Sequence, residues 1–77
     1  MEREELLKLI ETKEVIGVDL SGQRLEKIDF TGCRIERTSF KGCELVHCRF
    51  RNAKISWCDF RYAEVQHGTF EGAEIEF

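Results

Sequence analysis

The chain has 77 residues, no proline, and a formal net charge of -3 from 12 basic and 15 acidic residues. This length fits one small domain and argues against a large enzyme built around a deep cleft. The charge is too weak and too evenly mixed to attract nucleic acid or an anionic membrane surface, so we expect neither direct nucleic-acid binding nor membrane association.

The amino-terminal residues do not resemble a secretion signal. Residues 1–5 are acidic where a signal peptide would be basic, and Lys8 interrupts the apolar cluster at residues 6–10. We therefore expect a soluble, cytoplasmic protein.

Residues 2–11 predict a short amphipathic helix, with Leu6, Leu7 and Ile10 on one side and charged residues on the other. We expect this helix, followed by a connector at residues 12–17, to cap the segment at residues 18–77. A cap is needed because the first unit of a repeat array otherwise exposes apolar surface and unpaired backbone groups.

Large apolar residues recur every five positions along that segment. All twelve positions keep the pattern: Leu20, Leu25, Phe30, Ile35, Phe40, Leu45, Phe50, Ile55, Phe60, Val65, Phe70 and Ile75. A period of five matches neither a helix nor an open strand, but it suits a chain that turns a corner every five residues. Such a chain winds into a solenoid.

A second position, two residues before each of these centres, keeps the same register. It holds every alanine and every cysteine of the chain: Val18, Gln23, Ile28, Cys33, Thr38, Cys43, Cys48, Ala53, Cys58, Ala63, Gly68 and Ala73. We expect these side chains to point inward. The polar side chains of Gln23 and Thr38 would then need hydrogen-bond partners, and we expect Gln23 to reach a backbone group near the amino-terminal cap.

The units DFTGC, SFKGC, DFRYA and TFEGA resemble those of the pentapeptide repeat family, and the resemblance covers residues 18–77. It implies an all-β solenoid, a right-handed quadrilateral β-helix with four pentapeptides to a coil. Twelve units then make about three coils behind the short capping helix.

Residues 20 apart would stack on one side of such a tube. This register places phenylalanine on two opposite sides and aliphatic residues on the other two. Glycine or asparagine at residues 22, 32, 42, 52 and 72 marks alternate corners, so we expect two turn types to alternate around each coil.

From the sequence we expect no catalytic residues, no cofactor and no metal site. The spacing of Cys33, Cys43, Cys48 and Cys58 matches no common zinc pattern, and the register points all four inward, as free thiols in a reducing compartment. His47 would lie at an outward corner beside the inward Cys48, so the two would not form a nucleophile–base pair. No phosphate-binding glycine loop is present.

Two corner columns are candidate interaction surfaces. In the first column, the Arg37 guanidinium would stack on the aromatic rings of Trp57 and Phe77. The alternative is that these three side chains contact only one another and shield the corner from solvent. His47 and His67 would stack below Lys27. The alternatives there are an exposed ladder of turn residues and a two-histidine metal site with nearby glutamates, which Lys27 would oppose.

The predicted function is a non-catalytic protein-interaction or scaffold module with an unidentified protein partner. One alternative, implied by the resemblance, is a DNA-mimic protein that binds a type II topoisomerase, which would require a longer or dimeric rod. An enzyme is the least favoured class.

The last coil would expose apolar side chains at its open end. We expect either further residues that cover it or a homodimer joined through Phe60, Val65, Phe70, Ile75 and Phe77.

Overall fold

A computed structural model describes residues 1–76 of the chain. One helix precedes seven strands of three residues each. The elements are α1 (Arg3–Glu11), β1 (Glu14–Ile16), β2 (Arg24–Glu26), β3 (Arg34–Glu36), β4 (Glu44–Val46), β5 (Lys54–Ser56), β6 (Glu64–Gln66) and β7 (Glu74–Glu76).

The strands form two parallel sheets, in the orders β1-β3-β5-β7 and β2-β4-β6. Ile35 pairs with Ile55 and Leu25 with Leu45, so paired residues are 20 positions apart. Residues 20 positions apart lie above one another on successive coils, and we call such a set a column. Isolated parallel β-bridges join two further columns, Asp19–Ser39–Asp59 and Asp29–Arg49–Thr69. The predicted β-solenoid of about three turns is therefore confirmed, whereas its right-handed quadrilateral form stays a prediction.

Stacked phenylalanines fill two sides of the tube. The ring centroids of Phe30 and Phe50 lie 4.7 Å apart, and those of Phe50 and Phe70 lie 4.8 Å apart, in nearly parallel planes. Phe40 stacks in the same way on Phe60 in the other column, at 4.7 Å. Across the tube, Phe40 meets Phe50 edge to face at 6.1 Å, a favoured aromatic geometry. The predicted stacking is present.

Every corner from residue 17 to residue 72 places one residue at positive φ, whatever its type. Arg37 and Trp57 adopt this conformation as Gly22 and Gly32 do, with φ of 48°, 56°, 72° and 71°. Alternate corners are closed by a backbone hydrogen bond such as the one from the Cys33 amide to the Phe30 carbonyl, 3.0 Å. Each corner therefore has one residue in the left-handed conformation. This residue need not be glycine, although the recurrence of glycine in the sequence suggested that it must be.

The repeat begins earlier than the sequence analysis expected. The predicted connector, residues 12–17, contains strand β1, which pairs with β3, and Val15 is fully buried in the core. Val15 lies five residues before Leu20 and continues the register. The pattern was missed there because Lys13 occupies the position that usually holds a small residue.

The helix packs on the core through Leu6, which is fully buried, with Leu9 and Ile10 partly buried beside it. Leu7, expected on the same side, is 39% exposed. At the start of the helix, the Arg3 guanidinium donates to the Glu26 carbonyl at 2.8 Å, which ties the cap to the first coil.

Both inward polar side chains are satisfied. The Gln23 side chain lies against Met1, as predicted for a contact near the cap. When its amide is oriented to satisfy both groups, the nitrogen donates to the Met1 carbonyl at 3.1 Å and the oxygen accepts from the Met1 amino group at 2.8 Å. The Thr38 hydroxyl donates to the Glu36 and Val15 carbonyls at 3.0 and 3.2 Å. These bonds remove most of the cost of burying a polar group.

Phe50→Ala should lower the free energy of unfolding by about 3–5 kcal/mol, because the ring is fully buried between two stacked rings and its loss leaves a cavity. Arg51→Ala, at an exposed neighbour, should change stability by less than about 0.5 kcal/mol. Urea unfolding followed by circular dichroism measures both. Equally small effects would show that Phe50 does not fill the core.

Candidate interaction surfaces

The Arg37–Trp57 corner lies where the sequence predicted it. The backbone fixes both residues, since the Arg37 amide donates to the Ser56 carbonyl and the Trp57 amide to the Glu76 carbonyl, each at 3.1 Å. Trp57 is 69% exposed. The aromatic contacts of residues 1–76 include no pairing of the Arg37 guanidinium with the Trp57 ring, and Phe77, the third member of the predicted stack, lies outside the described residues.

The second predicted column does stack. The imidazole rings of His47 and His67 lie with centroids 4.8 Å apart and an angle of 12° between their planes. They line an open groove of about 490 Å³ together with Lys27, Arg49 and Asp29. The register explains this pairing, because the two histidines occupy the same corner of successive coils.

The two predicted columns do not form one surface. Trp57 and His67 are ten residues apart, half of the 20-residue spacing that separates neighbours in a column. One column follows strands β3 and β5, and the other follows β4 and β6 in the second sheet. A single small partner would therefore contact one column or the other.

Tyr62 lies at an exposed corner, as the register predicts, but the sequence analysis did not count it among the interaction surfaces. Its side chain is 82% exposed, and it follows Trp57 at the next corner of the same coil. Between them lies an ion pair in which the Arg61 guanidinium donates to both carboxylate oxygens of Asp59, at 2.9 to 3.2 Å. The side chain and amide of Arg61 lower the pKa of Asp59 to about 2. We call the residues Trp57, Asp59, Arg61 and Tyr62 the aromatic side.

The charges are segregated by coil, although the whole chain is nearly neutral. Residues 37–56 carry five basic residues and one acidic residue, whereas residues 57–76 carry one basic residue and five acidic residues. The outward positions alone bear these charges, so the middle coil is a positive belt and the following coil is a negative one. Composition averaged over the chain conceals this difference.

The apolar core is complete in the middle coil and open in the following one. Phe50 and Ile55 are buried, but Val65 is 46% exposed and Ile75 is 44% exposed. Phe60 and Phe70 are half-buried. These are the residues predicted for the dimer end, except Phe77, which lies outside the described residues.

The cysteines lie at inward positions and are not paired. Cys33, Cys43 and Cys48 are buried, whereas Cys58 is only partly buried because it belongs to the open coil. The Cys43 thiol donates to the Leu20 carbonyl at 2.8 Å, and the Cys48 thiol to the Leu25 carbonyl at 3.3 Å. Burial raises the pKa of all four thiols above the ordinary value.

This geometry separates the neighbours His47 and Cys48. The imidazole is at an exposed corner, while the thiol points into the core toward backbone carbonyls. They do not act as a base and its nucleophile. Within residues 1–76, no group of three or more His, Cys, Asp or Glu side chains is placed to hold a metal ion.

The fold and its five-residue register define the class, a parallel β-solenoid repeat protein. Residues 16–52 match the family described as Pentapeptide repeats, in eight copies. This segment of the chain, just under half of its length, therefore consists of pentapeptide repeats. The structure continues the same register beyond the matched residues, since Ile55 pairs with Ile75. No curated protein matches the chain. None of the described helices is long and apolar enough to cross a membrane.

The four thiols should react with a disulfide-exchange reagent at very different rates. Cys58 should react first because it is only partly buried, and Cys33, Cys43 and Cys48 should react only when the coils open. Cys58→Ala should remove the fastest phase and leave the others unchanged, since alanine stands at the same position in neighbouring units. Rapid and equal labelling of all four thiols in the native protein would contradict the inward register.

The raised thiol pKa values also predict the direction of an alkaline effect. A buried neutral thiol contributes stability that is fully present below the ordinary pKa of 9.0 and is lost as the pH rises through the folded-state value. The urea midpoint should therefore fall as the pH rises above about 9. Replacing Cys43 and Cys48 by alanine should weaken this pH dependence, and an unchanged slope would contradict it.

Proposed function

We propose that this protein is a non-catalytic protein-interaction module of the cytoplasm and that the aromatic side is its contact surface. The observation that carries the proposal is the exposure of Trp57 and Tyr62 at successive corners, 69% and 82%, on either side of the Asp59–Arg61 ion pair. The free thiols at buried positions support a reducing compartment.

The residue types favour a protein partner. Tryptophan, tyrosine and arginine are the side chains most enriched among those that dominate binding energy at interfaces. Covering one large aromatic side chain contributes about 1.5–3 kcal/mol of apolar burial. A side that presents two such rings around one arginine therefore carries enough apolar surface to anchor a partner.

The backbone holds this surface in place before binding. The Trp57 amide is bonded to the Glu76 carbonyl, and the turn that carries Tyr62 is closed by a bond from the Ala63 amide to the Phe60 carbonyl, 3.1 Å each. A pre-organised surface loses less conformational entropy on binding than a flexible loop. This is the physical advantage of a solenoid as a scaffold.

The topoisomerase alternative receives less support from the charge distribution. Duplex DNA presents one sign of charge at close, regular spacing. Here a positive belt at residues 37–56 lies beside a negative coil at residues 57–76, and the described chain extends about 23 Å in its longest direction. Only a longer rod with charge of uniform sign would present the required pattern.

The homodimer through the last coil stays a prediction. Its apolar contacts would come from Val65 and Ile75, which are exposed, and from Phe60 and Phe70, which are half-buried. The surrounding charges oppose it, because residues 57–76 carry five acidic residues against one basic residue. Joining two such coils brings like charges together.

Site-specific photocross-linking tests the proposed contact surface. With benzoylphenylalanine at position 62, we expect one dominant cross-linked partner from cell extract, and none with the same probe at the exposed corner position 52. Excess wild-type protein should compete. Trp57→Ala should compete roughly thirtyfold less well, as expected for the loss of about 2 kcal/mol at an anchor residue. Equal cross-linking at both positions, or full competition by Trp57→Ala, would contradict the proposal.

The dimer should respond to ionic strength in a definite direction. Because the repulsion between acidic coils is screened by salt, the dimer should be more abundant at about 1 M salt than at about 0.05 M in multi-angle light scattering. Val65→Lys should weaken association, whereas Tyr62→Lys, at a corner beside the end, should not. A monomer near 9.0 kDa under both conditions would rule out the dimer.

A further inference from the structure

The groove beside the stacked histidines is distinct from the aromatic side and has its own chemistry. It has a volume of about 490 Å³ and runs along the corner that holds His47 and His67. Cationic and hydroxyl-bearing side chains from three successive coils line it. The polar lining residues are Lys27, Asp29, His47, Arg49, His67 and Thr69.

The parallel stack brings two titratable groups close together at fixed positions. The amide of Lys27 donates to the Val46 carbonyl at 2.9 Å and the amide of His47 to the Gln66 carbonyl at 2.8 Å, so the corner column is held by bonds between coils. With centroids 4.8 Å apart and 12° between their planes, the two imidazoles lie face to face on successive coils. A ligand with two acceptor groups could therefore contact both rings.

The groove carries a charge that depends strongly on pH. With neutral imidazoles, Lys27 and Arg49 are opposed by Asp29, which leaves a net charge of +1. Asp29 accepts hydrogen bonds from the Thr31 amide, 3.0 Å, and the Thr31 hydroxyl, and these bonds lower its pKa, so it remains ionised in mild acid. Protonation of His47 and His67 raises the net charge to +3.

Two protonated rings at this distance repel each other, and an anion placed against both removes the repulsion. A singly charged carboxylate would balance one ring only. A compact ligand with two or more joined anionic groups would balance both rings and reach Lys27 or Arg49 as well.

We propose that this groove is a binding site for compact polyanions of the diphosphate type, and that protonation of the two stacked histidines strengthens binding. Lys27 and Arg49 supply fixed positive charge, and Thr69 supplies a hydroxyl donor. The site is independent of the proposed protein contact, because no residue of the aromatic side lines the groove.

Nuclear magnetic resonance of the histidine rings tests the site directly. Methanedisulfonate keeps its two charges throughout the range studied, so it isolates the protonation of the protein. At constant ionic strength we expect saturable shifts of both His47 and His67 at about pH 5.5, and at least tenfold weaker binding at about pH 7.5. Inorganic pyrophosphate should compete for the same site, and inorganic phosphate should compete more weakly.

Matched variants distinguish binding in the groove from nonspecific attraction of anions to the positive belt. His67→Asn retains a residue that tolerates positive φ, and it should remove most of the pH dependence and weaken binding at the lower pH at least fivefold. Arg51→Ala removes one charge of the same belt outside the groove and should leave binding within about twofold, as screening at constant salt predicts. Circular dichroism checks that both variants are folded.

Vesicles of phosphatidylcholine with phosphatidylinositol bisphosphate distinguish the source of the ligand. Cosedimentation that pyrophosphate reverses would assign the site to a lipid headgroup, and binding of free pyrophosphate without cosedimentation would assign it to a soluble compound. The proposal is overturned by shifts that do not saturate, by affinity that is independent of pH, or by equal losses in His67→Asn and Arg51→Ala.

Discussion

The stacking of like side chains at the spacing between coils is the interaction on which this fold depends. Phe30, Phe50 and Phe70 repeat at 4.7 and 4.8 Å, close to the distance between hydrogen-bonded strands. Rings in one column can therefore pack face to face while the backbones above and below remain paired. Because each side of the tube contributes one large side chain per coil, a substitution that changes the size of that side chain alters both neighbouring coils.

The same spacing explains how polar and sulfur-containing side chains share the inward position. The Thr38 hydroxyl bonds to the carbonyl two residues earlier and to the Val15 carbonyl 23 residues earlier. The Cys58 thiol makes the equivalent pair of contacts, to the Ser56 and Ile35 carbonyls at 3.5 Å each. A small side chain with one donor is thus accommodated at this position, while alanine fills it without a hydrogen bond. The repeat tolerates either type.

The core could be predicted from the sequence because each unit must place one large side chain inside. Val15 shows the limit of that reasoning, since Lys13 breaks the second position of the pattern although the burial of Val15 is complete. The surface was less predictable. His47 and His67 share a corner column and their rings stack. Arg37 and Trp57 also share a column, but their side chains do not stack. The register fixes the Cα positions of such residues and not the directions of long exposed side chains.

Since the backbone pairing and the core define the fold, the outward positions are free to carry different chemistry on each side. The chain uses them to segregate charge by coil and to present separate aromatic and histidine-lined surfaces. Function in such a scaffold lies in the surface and not in the fold.

The central claim is that residues 20 apart are direct neighbours in parallel register. Nuclear Overhauser contacts between backbone protons measure this without reference to function. We expect contacts between Ile35 and Ile55 and between Leu25 and Leu45, all in parallel register. Contacts of these residues at other separations, as in antiparallel hairpins, would contradict the solenoid.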